Sequence, residues 1–193
     1  MCFLRFCIVI NSLIIFAPFL ACSGNLVYPC ILAASDMPDS SKGVASHIPR
    51  FTNNSNGTVR DNLTGLIWLQ NANVAGLRTW ADALTDVENL NRDGMMNGTF
   101  AGDKSNGGGH QKDWRLPDRN ELSSLTDSRN NNPALPSGYA GFFSNVQSDS
   151  YWSSDTLKGG IAYAWIVNMS DYGILDTANK TETYYVWPVR TGK

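Results

Sequence analysis

Cysteine is missing from most of this chain. Cys2, Cys7, Cys22 and Cys30 all fall within the first 30 of 193 residues. The chain beyond Cys30 therefore has no internal disulfide, no Cys-x-x-Cys metal knuckle and no cysteine nucleophile. Histidine is nearly as scarce: only His47 and His110 occur, so no metal centre or cofactor site is expected from them. His110 follows three glycines and reads as a solvated loop side chain. Net charge is −2, from 15 basic and 17 acidic residues. No Lys/Arg stripe is visible, which argues against phosphate-backbone contacts and against nucleic acid as a partner.

A continuous apolar run is lacking too. Met1 to Ala21 carries one charge, Arg5, and its apolar stretch from Ile8 is cut by Asn11-Ser12. It is too short and broken for a membrane span of about 20 residues. A basic residue followed by a short apolar region reads as a secretory signal over residues 1–22. Phe19-Leu20-Ala21-Cys22 is similar to a bacterial lipobox, which makes Cys22 a lipidation candidate and the membrane a partner through the lipid. Ordinary cleavage near Ala21-Cys22-Ser23, or near Ala33-Ala34-Ser35, is the alternative. The expected location is an outer-membrane or cell-surface lipoprotein, or else the periplasm or the medium. Residues 23–49, rich in Pro, Ser and Gly towards their end, read as a flexible tether.

Residues 50–193 have the content of a fold. The chain is 42% hydrophobic and 11% aromatic, too rich for disorder. A domain of about 150 residues buries roughly 70% of its unfolded surface and needs no metal or disulfide. Asn56-Gly57 signals a hairpin between Phe51-Thr52 and Thr58-Val59-Arg60. Asn62 to Gly65 supplies a second turn ahead of Leu66-Ile67-Trp68-Leu69. A helix is expected after Thr79, with Asp82 three residues on and Trp80, Ala83, Leu84, Val87 and Leu90 at helical period. Asn91 to Lys112, rich in Gly and Asn, reads as a long surface loop. Asp113 to Pro117 is extended. Asp118 and Glu121 then cap a second helix that turns Leu122 and Leu125 inward. Ser128 to Asp149 is irregular.

The last third reads as strands. Tyr151 to Asp155 leads to a turn at Lys158-Gly159-Gly160. Ile161, Tyr163, Trp165 and Val167 alternate and share one face, with Tyr163 and Trp165, like Trp152, expected to pack. Asp171-Tyr172-Gly173 turns the chain again. Tyr184 to Arg190 is the final strand, which lies at a sheet edge or ends at Pro188, because proline has no amide hydrogen. The class is α+β, with an antiparallel sheet and grouped helices.

Five segments in this order carry a resemblance: RFTNNSNGTVRDNLTGLIW (50–68), DWRLPDRNEL (113–122), YWSS (151–154), AWIVNMSDYG (164–173) and YVWPVR (185–190). They resemble the C-terminal domain of the Legionella collagen-like protein, a bacterial domain of unknown function. The resemblance implies a C-type lectin-like fold. In such a fold the N- and C-terminal strands pair, and loops on one side form the ligand face. Calcium and sugar motifs of animal C-type lectins are absent, so calcium-dependent sugar binding is not implied. Trp187 stands where Arg is common, an expected change to the surface at that edge.

Ser153-Ser154 has no His or Lys directly beside it in sequence, Lys158 falling in the following turn. Capping accounts for Asp118 and Glu121. A noncatalytic protein is therefore expected. Asp155, Asn168, Asp171, Tyr172, Asn179 and Lys180 lie in turns or at strand ends and are the candidate binding residues, since Asn and Tyr suit adaptable contact surfaces. The expected function is recognition of a surface glycan or protein at the bacterial cell surface. The alternatives are a structural envelope module without a specific ligand, and a retroelement-diversified binding protein, to which the lectin-like scaffold is related.

Overall fold

The structure, a computed structural model, describes residues 49–192. The expected secretory signal, Cys22 and the expected tether up to residue 48 lie outside the described residues. Nine strands and two α-helices make up the described part, with no helix long and apolar enough to cross a membrane among them. The class is α+β with antiparallel sheets, as expected.

The polar stretch before Trp68 is a three-stranded meander. β1 (Phe51–Asn53) pairs with β2 (Thr58–Asp61), and β2 with β3 (Leu66–Leu69). The first turn closes through Asn54 N–H donating to Thr58 O at 3.0 Å. Asn56 Oδ1 accepts from Thr58 N at 3.2 Å and from Thr58 Oγ1 at 2.7 Å. Gly57 sits at φ 83°, and a Cβ there would lie 1.9 Å from Gly102 O. Only glycine fits that approach. In the second turn Asp61 Oδ1 accepts from Leu63 N at 2.9 Å, an Asx-type closure.

The chain's last strand, β9 (Val189–Thr191), joins this sheet in the order β1-β2-β3-β9. N- and C-terminal strands thus share one sheet, with β9 beside β3. The final strand is shorter than Tyr184 to Arg190. Tyr184 and Tyr185 make only isolated bridges, to Arg78 and Tyr151, while Pro188 O accepts from Leu69 N at 3.2 Å.

α1 (Trp80–Asp93) begins at Thr79, whose hydroxyl accepts from Asp82 N, and ends at Gly94 with φ 78°. It buries Ala83, Val87 and Leu90, as its period implies, and also Asp86. Asp86 accepts from Arg78 Nε at 2.7 Å and from Asn97 N at 2.8 Å. It therefore ties the helix to the next segment, residues 94–112. That segment is more than a surface loop. It contains a small hairpin, β4 (Met95–Met96) with β5 (Thr99–Phe100), and it buries Met96, Ala101 and Asp103. Polar side chains with fixed backbone partners replace apolar ones here, which is why composition misread it.

α2 (Arg119–Ser124) has the reciprocal Asp118–Glu121 capping box and buries Leu122. Arg115 adds a two-pronged pair to Glu121, 2.6 Å on each arm. A second sheet holds β6 (Ser150–Leu157), β7 (Gly160–Asn168) and β8 (Ile174–Asn179). β8 is an additional strand; its first three residues are exposed, so it carries no alternation to read.

The core is aromatic. Trp68, Trp152, Trp187 and Tyr151 are fully buried. Trp187 lies 5.7 Å from Trp68, 5.0 Å from Phe143 and 5.5 Å from Tyr151, ring centre to ring centre. Its Nε1 donates to Leu69 O at 2.9 Å. The expectation that Trp187 alters the surface is thus corrected: it is a hub of the interior, with its one polar atom satisfied.

Candidate functional site

β7 corrects a second expectation. Ile161 is 85% exposed and Tyr163 42%, while Ala164, Ile166 and Val167 are buried. Burial changes along the strand rather than across its faces. The Gly160 end projects into solvent, and the Asn168 end is covered on both sides, so alternation could not reveal which residues pack. A register irregularity in β6 between Trp152 and Thr156 falls where burial changes.

Antiparallel partners share a face. Tyr163 pairs with Asn179 and Trp165 with Thr177, which places these four on one face of the β7–β8 ribbon. Tyr163 and Trp165 are two positions apart, about 7 Å along the strand. The Arg119 guanidinium lies over the Trp165 ring at 4.6 Å. Asp155 Oδ2 accepts from Arg119 N at 2.9 Å and stands 3.9 Å from Arg119 Nε. Asp155 thus anchors the start of α2 and holds Arg119 beside the aromatics. Both charged side chains remain about two-fifths exposed, so the ion pair itself contributes at most about 1 kcal/mol.

The six candidate residues fall into two groups. Asp155, Asn179 and Lys180 gather at the Tyr163 end. Lys180 Nζ sits 3.9 Å from the Trp80 ring centre and donates to Thr156 Oγ1 at 2.8 Å. Asn179 Oδ1 accepts from Thr181 N at 3.1 Å and Thr181 Oγ1 at 2.9 Å, closing a turn. Asn168, Asp171 and Tyr172 sit at the opposite end. Asn168 Oδ1 accepts from Ser170 N at 2.9 Å and Oγ at 2.7 Å. Asp171 and Tyr172 are exposed, Tyr172 with φ 53°. Five strand positions separate the pairs Tyr163–Asn179 and Asn168–Ile174, about 17 Å. The six therefore do not form one face.

Residues that sequence reasoning missed are Tyr163, Trp165, Arg119 and Thr177. The two aromatics were assigned to packing because apolar alternation was the only signal weighed. Polar partners across the ribbon, Thr177 and Asn179, become visible only with the register.

Ser153 is fully buried and its Oγ accepts from Asp155 N at 3.2 Å. His110 Nε2 lies 3.3 Å from Asn91 O. Among the described residues no three His, Cys, Asp or Glu side chains come together as a metal-holding group. The face offers flat aromatic surface, a cation and hydroxyl and amide groups, a combination suited to contact with hydroxylated rings or polypeptide.

A model of the family described as Lcl C-terminal domain matches residues 57–190. That is more than half of the chain, which therefore belongs to this family. No curated protein matches the chain.

Proposed function

We propose that this member of the Lcl C-terminal domain family is an exported, noncatalytic recognition domain that binds a glycan or protein at the bacterial cell surface. The observation that carries the reading is the β7–β8 face, where Tyr163 and partly buried Trp165 share one side with Thr177 and Asn179. Aromatic surface left in solvent beside hydrogen-bonding groups marks contact surfaces rather than spacers. Arg119 and Asp155 keep that surface in place. Export rests on the leader, and the lipid anchor on Cys22.

The test is a glycan and surface-protein array probed with the full-length protein and two variants. Tyr163→Ala/Thr177→Ala should lose signal while melting as the parent does. Asp171→Ala, at the far turn, should keep it. Loss only in Asp171→Ala would move the contact to the turn. Absence of any signal for the parent protein would favour the structural envelope module.

A further inference from the structure

A second surface feature, on the other sheet, has the chemistry of a site. Ser105, Gln111, Lys112, Asp113 and Arg190 line an open cleft of about 600 Å³. Arg190 comes from β9 and the others from the segment between α1 and α2. The Arg190 side chain is only 11% exposed, and its guanidinium stands 5.7 Å from the Trp114 ring centre. Trp114 is itself buried and fixed by its Nε1 donating to Asp103 Oδ2 at 2.8 Å. The guanidinium is therefore held in one place.

Its donors are poorly used. Arg190 Nε is buried with no hydrogen-bond partner among the described residues. Asp113 Oδ2 lies 3.6 Å from Arg190 Nη1, an ion pair too long for a hydrogen bond. Ser105 Oγ, close enough to Asp103 to favour its ionised form, also makes no hydrogen bond of proper geometry. Buried donors are usually paired, and an unpaired one costs free energy that an arriving acceptor can recover.

From these observations we infer that the cleft binds a small hydroxylated monocarboxylate, a ligand of sugar-acid size. A planar carboxylate matches the guanidinium fork, which an ammonium or hydroxyl set cannot do as well. Exposed Lys112 adds a second positive charge. Asp113 removes one, so the lining side chains carry one net positive charge, and the Asp103 carboxylate behind Ser105 and Gln111 offsets it further, which suits a monoanion over a dianion. Asp113 and the Gln111 side-chain oxygen accept ligand hydroxyls; the Gln111 Nε2 is already donating to Ser105 O at 3.2 Å. The volume accommodates a monosaccharide.

The test is a two-dimensional NMR titration of the full-length protein with galacturonate, galactose and inorganic phosphate at constant ionic strength. Galacturonate should shift the amides of Ser105, Gln111, Lys112 and Arg190 saturably, and galactose should bind more than about tenfold more weakly, the factor expected for one charge-assisted hydrogen bond. Lys112→Ala, at an exposed position that does not threaten folding, should weaken galacturonate. Arg190→Lys, which keeps the charge and removes the fork, should weaken it about tenfold or more. The inference is overturned by no saturable response, by an equal response to galactose or phosphate, by shifts confined to the β7–β8 face, or by undiminished binding in Lys112→Ala. Because different residues report, this outcome is independent of the array result.

Discussion

Asp103 provides the sharpest test of how the long segment after α1 is held. Its carboxylate is 1% exposed and accepts three hydrogen bonds at 2.8 Å: Ser105 N on Oδ1, and Gln111 N and Trp114 Nε1 on Oδ2. Burial pushes its pKa up, but these donors and the nearby Ser105 hydroxyl outweigh burial and hold it below the ordinary value. Asp103→Asn keeps the shape and supplies one acceptor oxygen where two are used. If that oxygen serves Gln111 and Trp114, the amide NH2 faces Ser105 N–H and one donor is stranded. A stranded buried donor costs about 1–3 kcal/mol, and charge on the acceptor is lost as well, so we expect a loss of about 2 kcal/mol. Asp103→Ala strands all three and should cost about 4 kcal/mol. At roughly 3 °C per kcal/mol for a domain of this size, Tm falls by about 6 and 12 °C. The assay is thermal and urea unfolding at pH 7 and again down to pH 3. A depressed folded pKa gives stability that is present above the unfolded value, near 4, and lost as pH falls through the folded one. The gap between parent and Asp103→Asn should therefore narrow on acidification. Equal stability at pH 7 within about 0.5 kcal/mol, or a gap that widens in acid, would refute the reasoning.

The same geometry sets other outcomes. Trp152→Ala should cost about 3–5 kcal/mol because the side chain is fully buried, whereas Tyr163→Ala should stay within about 0.5 kcal/mol in a urea melt. Gly57→Ala should unfold or strongly destabilise the domain, since its Cβ would meet Gly102 O at 1.9 Å and φ is 83°; a parent-like melting curve would contradict that contact. In alkali, burial and then the Glu182 contact push Tyr184 up to about 12, and burial raises Tyr151 further. Folded-state pKa values above the ordinary phenol value mean stability that is complete below about pH 10 and lost as pH rises beyond it. Ultraviolet titration should show these two phenols ionising late, together with unfolding. Labelled palmitate should enter the protein and be lost in Cys22→Ser; a lipid-free mature form would leave export without an anchor.

What was legible in the sequence, and what was not, divides by physical cause. Local chemistry read well. Asn56-Gly57, the Thr79 cap and the Asp118–Glu121 box each act within a few residues, and each has the expected partner. Long-range satisfaction of polar groups did not. Asp86 looks like a solvated acid on a helix and Asp103 like one in a Gly- and Asn-rich loop, yet both are buried because their acceptors are filled by backbone and side-chain donors. Periodicity failed for a third reason. It assumes that a strand lies wholly against a core, and β7 instead runs from solvent into the interior. Tyr163 and Trp165 share the parity of buried Val167, but only the far end of that row is covered. This geometry also recasts the candidate site. Asn168 and Asn179 have the composition of binding loops, but their side-chain oxygens are occupied in closing turns. An acceptor already filled twice has little left to offer a ligand. Tyr163, read as core, carries no such commitment, so solvent-facing surface on the β7–β8 ribbon, rather than turn composition, is where recognition is best supported.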